Sequence, residues 1–112
     1  FPTRRSSDLL GLAYKANVDD CRESPSFVLI ESLLGKGAEV SYHDPYVPVI
    51  PETREHPDLA GKRSVEITDG FDLILLSTDH SEYRNFDFRD FSCPMVDSRN
   101  CILHKPLKYY KA

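Results

Sequence analysis

Short, almost wholly apolar runs that each end in a polar cluster are the feature that most limits the folds open to this chain. The clearest run covers residues 71–77, and a similar one covers residues 9–14. Such runs are typical of strands buried on both faces, as parallel sheets require. Residues 38–42 read as a second strand, and residues 94–96 as a last short one. We therefore predict that these segments are strands of one parallel sheet.

The segment between the first two predicted strands carries the start and stop signals of a helix. Ser24 suits the N-cap and Pro25 the first helical position, while Gly35 and Gly37 predict the end. Residues 81–91 are predicted to be helical in part. The apolar residues of the first helix recur on one face at helical spacing: Phe27, Ile30, Leu33 and Leu34.

The rest of the chain carries weaker signals. Residues 47–61 contain several prolines and are predicted to be irregular, with room for one helical turn. Residues 63–69 fit either a short strand or a helix start, and residues 105–112 a loose tail. The alternation of strands and helices predicts an α/β fold in a single domain, a Rossmann-like open parallel sheet with helices on both faces.

Composition excludes several functional classes. The 112 residues are 40% hydrophobic and 29% charged, as in a globular domain, and the net charge of −4 argues against nucleic-acid binding. No apolar run is long enough for a membrane span, and no signal peptide is visible, so we expect a cytoplasmic protein. The three cysteines form no CxxC pair and no zinc-binding pattern, and we expect reduced structural thiols.

Polar clusters follow each predicted strand, and two of them contain a cation. Lys15 follows the first strand and Arg99 the last, at strand ends that we expect to be adjacent. Because ligands of open α/β sheets bind at the carboxyl ends of the strands, this pair predicts an anionic ligand such as a phosphate. The first strand–helix turn has only Gly11 and lacks both the GxGxxG and Walker patterns, which argues against direct NAD binding there.

Several motifs in the right order resemble the C-terminal, UDP-binding domain of the UDP-glucose/GDP-mannose dehydrogenase family. They are GLAYK at residues 11–15, DDCRESP at 19–25, YHDP at 42–45 and DSRN at 97–100. The loops most resemble those of the branch that oxidises UDP-N-acetylglucosamine or UDP-N-acetylgalactosamine. The resemblance implies a UDP-binding domain at residues 10–104 and a tail at 105–112. Residues 1–9 resemble the translation of a sequencing-adapter oligonucleotide, and we interpret them as a non-native tail.

The resemblance also implies a reaction and a set of contacts. The family oxidises the C6 hydroxyl of a UDP-hexose to a uronate with two NAD+, using a nucleophilic cysteine and an NAD domain that both lie upstream. This chain would therefore carry no catalytic residue and no turnover of its own. Tyr14, Lys15 and Arg99 match substrate-binding positions, and Arg22 matches a residue that reaches toward NAD. The complete enzyme is expected to form homo-oligomers.

Other interpretations of the same residues remain open. His43 and His80 suit loop hydrogen bonds better than catalysis, and Asp44 occupies the place of a ribose-binding acid but lacks the glycine turn. Asp19 and Asp20 suit the organisation of a loop. A receiver-like signalling module or a stand-alone nucleotide-binding domain are the alternative functions, although a receiver needs its acidic pair earlier and a lysine after its last strand.

Overall fold

The computed structural model describes residues 6–21, 24–54 and 56–111. Within them, five strands run parallel in one sheet with the order β2-β1-β3-β4-β5. The elements are β1 (Ser6–Leu10), α1 (Pro25–Gly35), β2 (Glu39–His43), β3 (Leu73–Leu76), α2 (Ser81–Asn85), β4 (Met95–Asp97) and β5 (Tyr109–Lys111). The predicted α/β class and parallel sheet are confirmed.

Each face of the sheet is covered by a helix, also as predicted. Phe27 and Ile30 of α1 pack into the core on one face, and Tyr83 of α2 packs into the core on the other. Leu9 and Leu10 of β1 belong to opposite cores because successive side chains of a strand point to opposite faces. The sheet is therefore buried on both sides, which explains why β3 is apolar at four successive positions.

Helix α1 begins as the sequence predicts. The Ser24 hydroxyl accepts a hydrogen bond from the Ser26 amide at 3.2 Å, and Pro25 follows at the first helical position. Gly37 ends the helix region with a φ of +87°, and its amide donates to the Leu34 carbonyl. Leu34, which the spacing places on the same face as Phe27 and Ile30, is 41% exposed.

The first strand lies earlier than predicted. The sequence placed it at residues 9–14, but β1 is Ser6–Leu10 and residues 11–14 form the loop that follows. Gly11 ends the strand because its φ of +92° is incompatible with extended backbone. Ser6, Ser7 and Asp8 thus lie in the sheet, although we had assigned residues 1–9 to a tail. Their non-native origin stays a prediction, and residues 1–5 lie outside the described part.

The C-terminal segment is not wholly a loose tail. Tyr109–Lys111 forms β5, which pairs in parallel with β4 in the register Met95 to Tyr109 and Asp97 to Lys111. The Tyr109 hydroxyl also donates to the Asp97 carboxylate at 2.6 Å. The polar, three-residue strand gave no apolar run that the sequence analysis could detect.

The segment between β2 and β3 is irregular, as predicted. It contains a single 3-10 turn, Pro57–Leu59, within the described residues. Residues 63–69, which the sequence left undecided, form neither a strand nor a helix, and Arg63 makes only an isolated bridge with Val49. Val47, Ile50 and Leu59 are buried against the α1 side of the sheet, so the segment adds to the core there.

The strand order places a crevice beside β1 and β3. Chain connections leave in opposite directions from these two neighbouring strands, and ligands of open α/β sheets bind outside the carboxyl ends at such a point. One prediction is corrected: β3 lies between β1 and β4, so the strands that precede Lys15 and Arg99 are not adjacent. No helix formed by the described residues is long and apolar enough to cross a membrane.

Candidate functional site

The loop after β1 presents two exposed side chains from a tightly held backbone. Tyr14 is 53% exposed, and Lys15 beside it is also exposed. The loop leaves the strand at Gly11, where an added Cβ would fall 2.5 Å from the Cβ of Thr78. Only glycine allows this close approach. The Thr78 hydroxyl then donates to the Ala13 carbonyl at 2.8 Å, which ties the loop to the end of β3.

Asp44, which follows β2, fixes the first half of this loop. One oxygen of its carboxylate accepts hydrogen bonds from the Leu12 amide at 2.7 Å and the Ala13 amide at 2.9 Å. The other oxygen accepts from the Tyr46 amide at 2.8 Å. In a dinucleotide-binding turn, amides in this place would face a pyrophosphate. Here a buried carboxylate of the protein already uses them.

His80, which follows β3, fixes the second half of the loop. Its Nδ1 atom lies 2.8 Å from the Asn17 amide nitrogen, and its Nε2 atom lies 2.9 Å from Asp44 Oδ2. The Asn17 side chain also exchanges two hydrogen bonds, each of 2.9 Å, with Ser81 at the start of α2. The prediction that His80 makes loop hydrogen bonds is confirmed.

Asp97 organises the loop after β4 in a similar way. One carboxylate oxygen accepts from the amides of Arg99 and Asn100, at 2.9 and 2.7 Å. The other accepts from the amides of Cys101 and Ile102, at 2.9 and 3.1 Å, and from the Tyr109 hydroxyl. The backbone therefore curls around one side chain, and Asn100 adopts a φ of +56° in the turn. The sequence analysis missed this role, although an aspartate at the end of a buried strand is a signal for such a turn.

Both buried carboxylates are held in the ionised form. Burial alone would raise the pKa of Asp44, but hydrogen bonds from His80 and from three backbone amides outweigh it and lower the pKa below the ordinary value. For Asp97, burial likewise acts upward, and the Tyr109 hydroxyl and several amides outweigh it. These donors stabilise the negative charge of each carboxylate within the fold.

The loops that carry Lys15 and Arg99 meet at the end of β3. The Arg99 Nε atom donates to the Ser77 carbonyl at 3.1 Å, and the next residue, Thr78, holds Ala13. Ser77 and Thr78 are buried and lie between the two loops. The loops that carry the predicted cations are therefore anchored to consecutive residues at one edge of the sheet, although their strands are not neighbours.

Comparison with known protein families identifies the family of a chain with this fold and site. Residues 8–104 match the model described as the UDP-glucose/GDP-mannose dehydrogenase family, UDP binding domain. The chain belongs to this family. The match covers both loops and both buried aspartates, so the site described above lies within the UDP binding domain.

Related proteins and structures agree with this assignment. The chain is 35% identical over 95 residues to a UDP-N-acetyl-D-mannosamine dehydrogenase of Methanocaldococcus jannaschii, with 85% of this chain and 21% of the relative covered. It is 34% identical over 108 residues to a UDP-glucose 6-dehydrogenase of Pseudomonas aeruginosa, with 86% and 24% covered. The structure of a UDP-D-ManNAc dehydrogenase from Pyrococcus horikoshii superposes with a TM-score of 0.72 at 27% identity, covering 98% of this chain and 26% of that one.

The UDP binding domain is thus a fraction of the proteins it resembles. The chain spans about a quarter of the length of these relatives. The relatives include a UDP-N-acetyl-D-mannosamine dehydrogenase and a UDP-glucose 6-dehydrogenase, so the family is confirmed without a choice of branch. Arg22, predicted to reach toward NAD, lies outside the described residues.

The cysteines of the UDP binding domain are poorly suited to nucleophilic chemistry. Cys21, Cys93 and Cys101 are free and buried. Burial raises the pKa of Cys21, and raises the pKa of Cys93 and of Cys101 to about 11. Since the thiolate is the reactive form, burial and a raised pKa both disfavour nucleophilic attack by these thiols. No group of three potential metal ligands occurs among the residues that the structure describes.

Proposed function

We propose that this chain binds the UDP portion of a nucleotide sugar, with Lys15 and Arg99 contacting the diphosphate and Tyr14 contacting the substrate beside them. One observation carries the proposal: the two loops with exposed cations are anchored to consecutive residues, Ser77 and Thr78, at the carboxyl edge of the sheet. A diphosphate bears enough charge to interact favourably with both cations at once.

Side chains, rather than a glycine turn, are the groups left to bind phosphate. The Leu12 and Ala13 amides are already bonded to Asp44, so they are not free to donate to a ligand. This supports recognition by Lys15 and Arg99, and it does not fit binding of NAD at the end of β1. It also gives Asp44 a role in shaping the loop instead of the ribose contact that its position suggested.

The activity of the complete protein follows as a wider proposal. Its relatives are dehydrogenases of UDP sugars, so we propose that this domain serves an NAD-dependent UDP-sugar 6-dehydrogenase, with a UDP-N-acetylhexosamine as the expected substrate. NAD would be bound mainly outside this chain, with Arg22 reaching toward it. Homo-oligomers and a cytoplasmic location remain predictions of the same kind.

Calorimetric titration of the chain tests the binding proposal. We expect UDP and UDP-N-acetylglucosamine to bind weakly, and uridine, which lacks phosphates, to bind much more weakly still. Lys15→Ala and Arg99→Ala should each reduce the affinity for UDP about tenfold or more, as expected for the loss of a charged hydrogen bond.

Lys36→Ala is the matched control for these variants. Lys36 is an exposed lysine at the C-terminal end of α1, away from both loops, and its removal should leave UDP affinity unchanged. Equal affinity in the wild type, Lys15→Ala and Arg99→Ala would refute the assigned contacts. Equal binding of uridine and UDP would refute recognition of the diphosphate.

A further inference from the structure

His80 is a buried side chain whose position connects three parts of the site. It follows β3, its imidazole is wholly buried, and it lies between Asn17 of the loop after β1 and Asp44 after β2. The Tyr46 ring packs on it with 4.7 Å between ring centroids. Water is excluded from these contacts, so each polar atom of the imidazole depends on its protein partner.

The hydrogen bonds determine which form of the imidazole is present. A backbone amide can only donate, so the contact from the Asn17 amide requires Nδ1 to be an acceptor. The ring proton therefore lies on Nε2 and is donated to Asp44 Oδ2. A neutral side chain with one donor and one acceptor, in this order, is what the site requires at position 80.

The exposed pair Tyr14 and Lys15 lies between two fixed points of the loop. Before it, the Leu12 and Ala13 amides are held by Asp44, and after it the Asn17 amide is held by His80. Asp44 is itself bonded to His80, so both fixed points belong to one buried hydrogen-bonded unit. This unit fixes the backbone on both sides of the exposed pair, and the Tyr14 amide also donates to the Asp20 carbonyl at 2.7 Å. A loop already ordered before binding loses less entropy when a ligand binds.

We propose that His80 is a positioning residue that holds the Tyr14–Lys15 segment in the conformation that meets a uridine diphosphate. The role in binding rests on the proposed function, whereas the ordering of the loop does not. His80 does not touch the ligand in this proposal. It acts through Asn17 on one side and through Asp44 on the other.

Two variants of His80 test the proposal. Glutamine can accept a hydrogen bond with its carbonyl and donate one with its amide, whereas leucine fills a similar volume and does neither. Amide hydrogen exchange measured by NMR reports the order of the loop at Asn17, and calorimetry reports UDP affinity. Exchange at the Leu75 amide in the sheet serves as the internal reference for the folded state.

We expect His80→Leu to speed exchange at Asn17 at least tenfold more than at the Leu75 reference, and to weaken UDP binding about tenfold. His80→Gln should stay within about threefold of the wild type in both measurements. His56→Leu is the matched control, because His56 also contacts a carboxylate, that of Glu31 at 2.8 Å, but far from this loop along the chain. It should change neither measurement at the loop.

Several results would overturn the proposal. These are unchanged exchange at Asn17 in His80→Leu, unchanged UDP affinity in that variant, or a glutamine variant as impaired as the leucine variant. If His80→Leu does not fold, His80→Met provides the same test with a more adaptable apolar chain. Failure of the wild type to bind UDP would contradict the proposed function, and the exchange measurements would still decide whether His80 orders the loop.

Discussion

The carboxyl edge of the sheet and its centre both contain buried aspartates, and the two regions surround them differently. At the edge, Asp44 and Asp97 are 1% and 0% exposed, and each carboxylate is surrounded by donors from loop backbone and side chains. At the centre, Asp8 of β1 is 0% exposed, and neither oxygen has a hydrogen-bond partner among the described residues.

The difference shows that hydrogen bonding, and not burial alone, decides whether the pKa of a buried carboxylate is lowered or raised. Donors lower the pKa of Asp44 and Asp97 despite burial, whereas burial without donors raises the pKa of Asp8 to about 7. Asp8 shares its face of the sheet with Leu10 and lies beside Ile74 in the register, so its surroundings are apolar. At the edge, Asp44 and Asp97 hold the loop backbone through hydrogen bonds. At the centre, the burial of Asp8 destabilises the fold and no hydrogen bond compensates for it.

The largest effect is expected from removing a bonded carboxylate. Asp44→Ala leaves buried donors of Leu12, Ala13 and His80 without an acceptor, each costing about 1–3 kcal/mol. The total of roughly 5 kcal/mol is comparable to the whole stability of a small domain. Circular dichroism should therefore show a largely unfolded chain at 25 °C.

The exposed Asp90 provides the control for this loss. The free energy of unfolding of Asp90→Ala should lie within about 0.5 kcal/mol of the wild-type value, as is usual for surface substitutions. A folded Asp44→Ala variant of nearly wild-type stability would show that the loop amides find other acceptors, and the contrast between edge and centre would then fail.

Much of the fold could be predicted because its signals are local. The Ser24–Pro25 start of α1 and the apolar run of β3 needed no knowledge of the rest of the chain. The position of β1 could not be predicted in the same way, because Ser6, Ser7 and Asp8 are polar residues in a buried strand. A search for apolar runs does not assign such residues to a buried strand. Only their pairing with β2 and β3 in the structure shows that they belong to the sheet.

The charged residues of the candidate site could be predicted, but the strand order and the hydrogen bonds that position them could not. Lys15 and Arg99 follow strands, and strand ends gather at one edge of a parallel sheet. The order of the strands in the sheet is set by tertiary packing. The position of β3 between β1 and β4 could therefore not be predicted from the sequence. The role of Asp97 depends on four amides that face it only after the chain has turned.

The next largest effect is a gain of stability at the centre of the sheet. Asp8→Val replaces an unbonded carboxylate by an apolar group of similar size on the face of Leu10. The pKa of Asp8 rises from 3.8 to about 7 on folding, which corresponds to about 4 kcal/mol of destabilisation above pH 7. Urea unfolding at pH 8 should show a gain of this order in the variant.

The pH dependence of that gain is its control. Below pH 3.8, Asp8 binds a proton in both the folded and unfolded chains, so the charge contributes nothing to the difference. As pH rises from about 4 to 7, only the unfolded chain releases the proton, and the wild type loses stability relative to Asp8→Val. A gain that is equal at pH 4 and pH 8 would show that packing, and not the charge, is responsible.

A smaller effect of opposite sign is expected in acid from the edge aspartates. The pKa values of Asp44 and Asp97 are lowered in the folded chain, so their contribution is complete above the unfolded value of 3.8 and is lost as pH falls below it. In the Asp8→Val variant, urea unfolding should show a lower stability at pH 2 than at pH 5. Equal stability at these two pH values would contradict the role assigned to their hydrogen bonds.

The smallest effect tests a single donor at the edge. Tyr109→Phe removes only the hydroxyl that donates to Asp97 at 2.6 Å, and it keeps the ring and the backbone of β5. Because Asp97 retains its amide donors and Tyr109 is only partly buried, we expect a loss of about 1 kcal/mol in urea unfolding. Tyr110→Phe, at an exposed neighbouring position of the same strand, should have no measurable effect. If the two variants lose equal stability, the carboxylate at the edge does not depend on this donor, and its lowered pKa must come from the backbone amides alone.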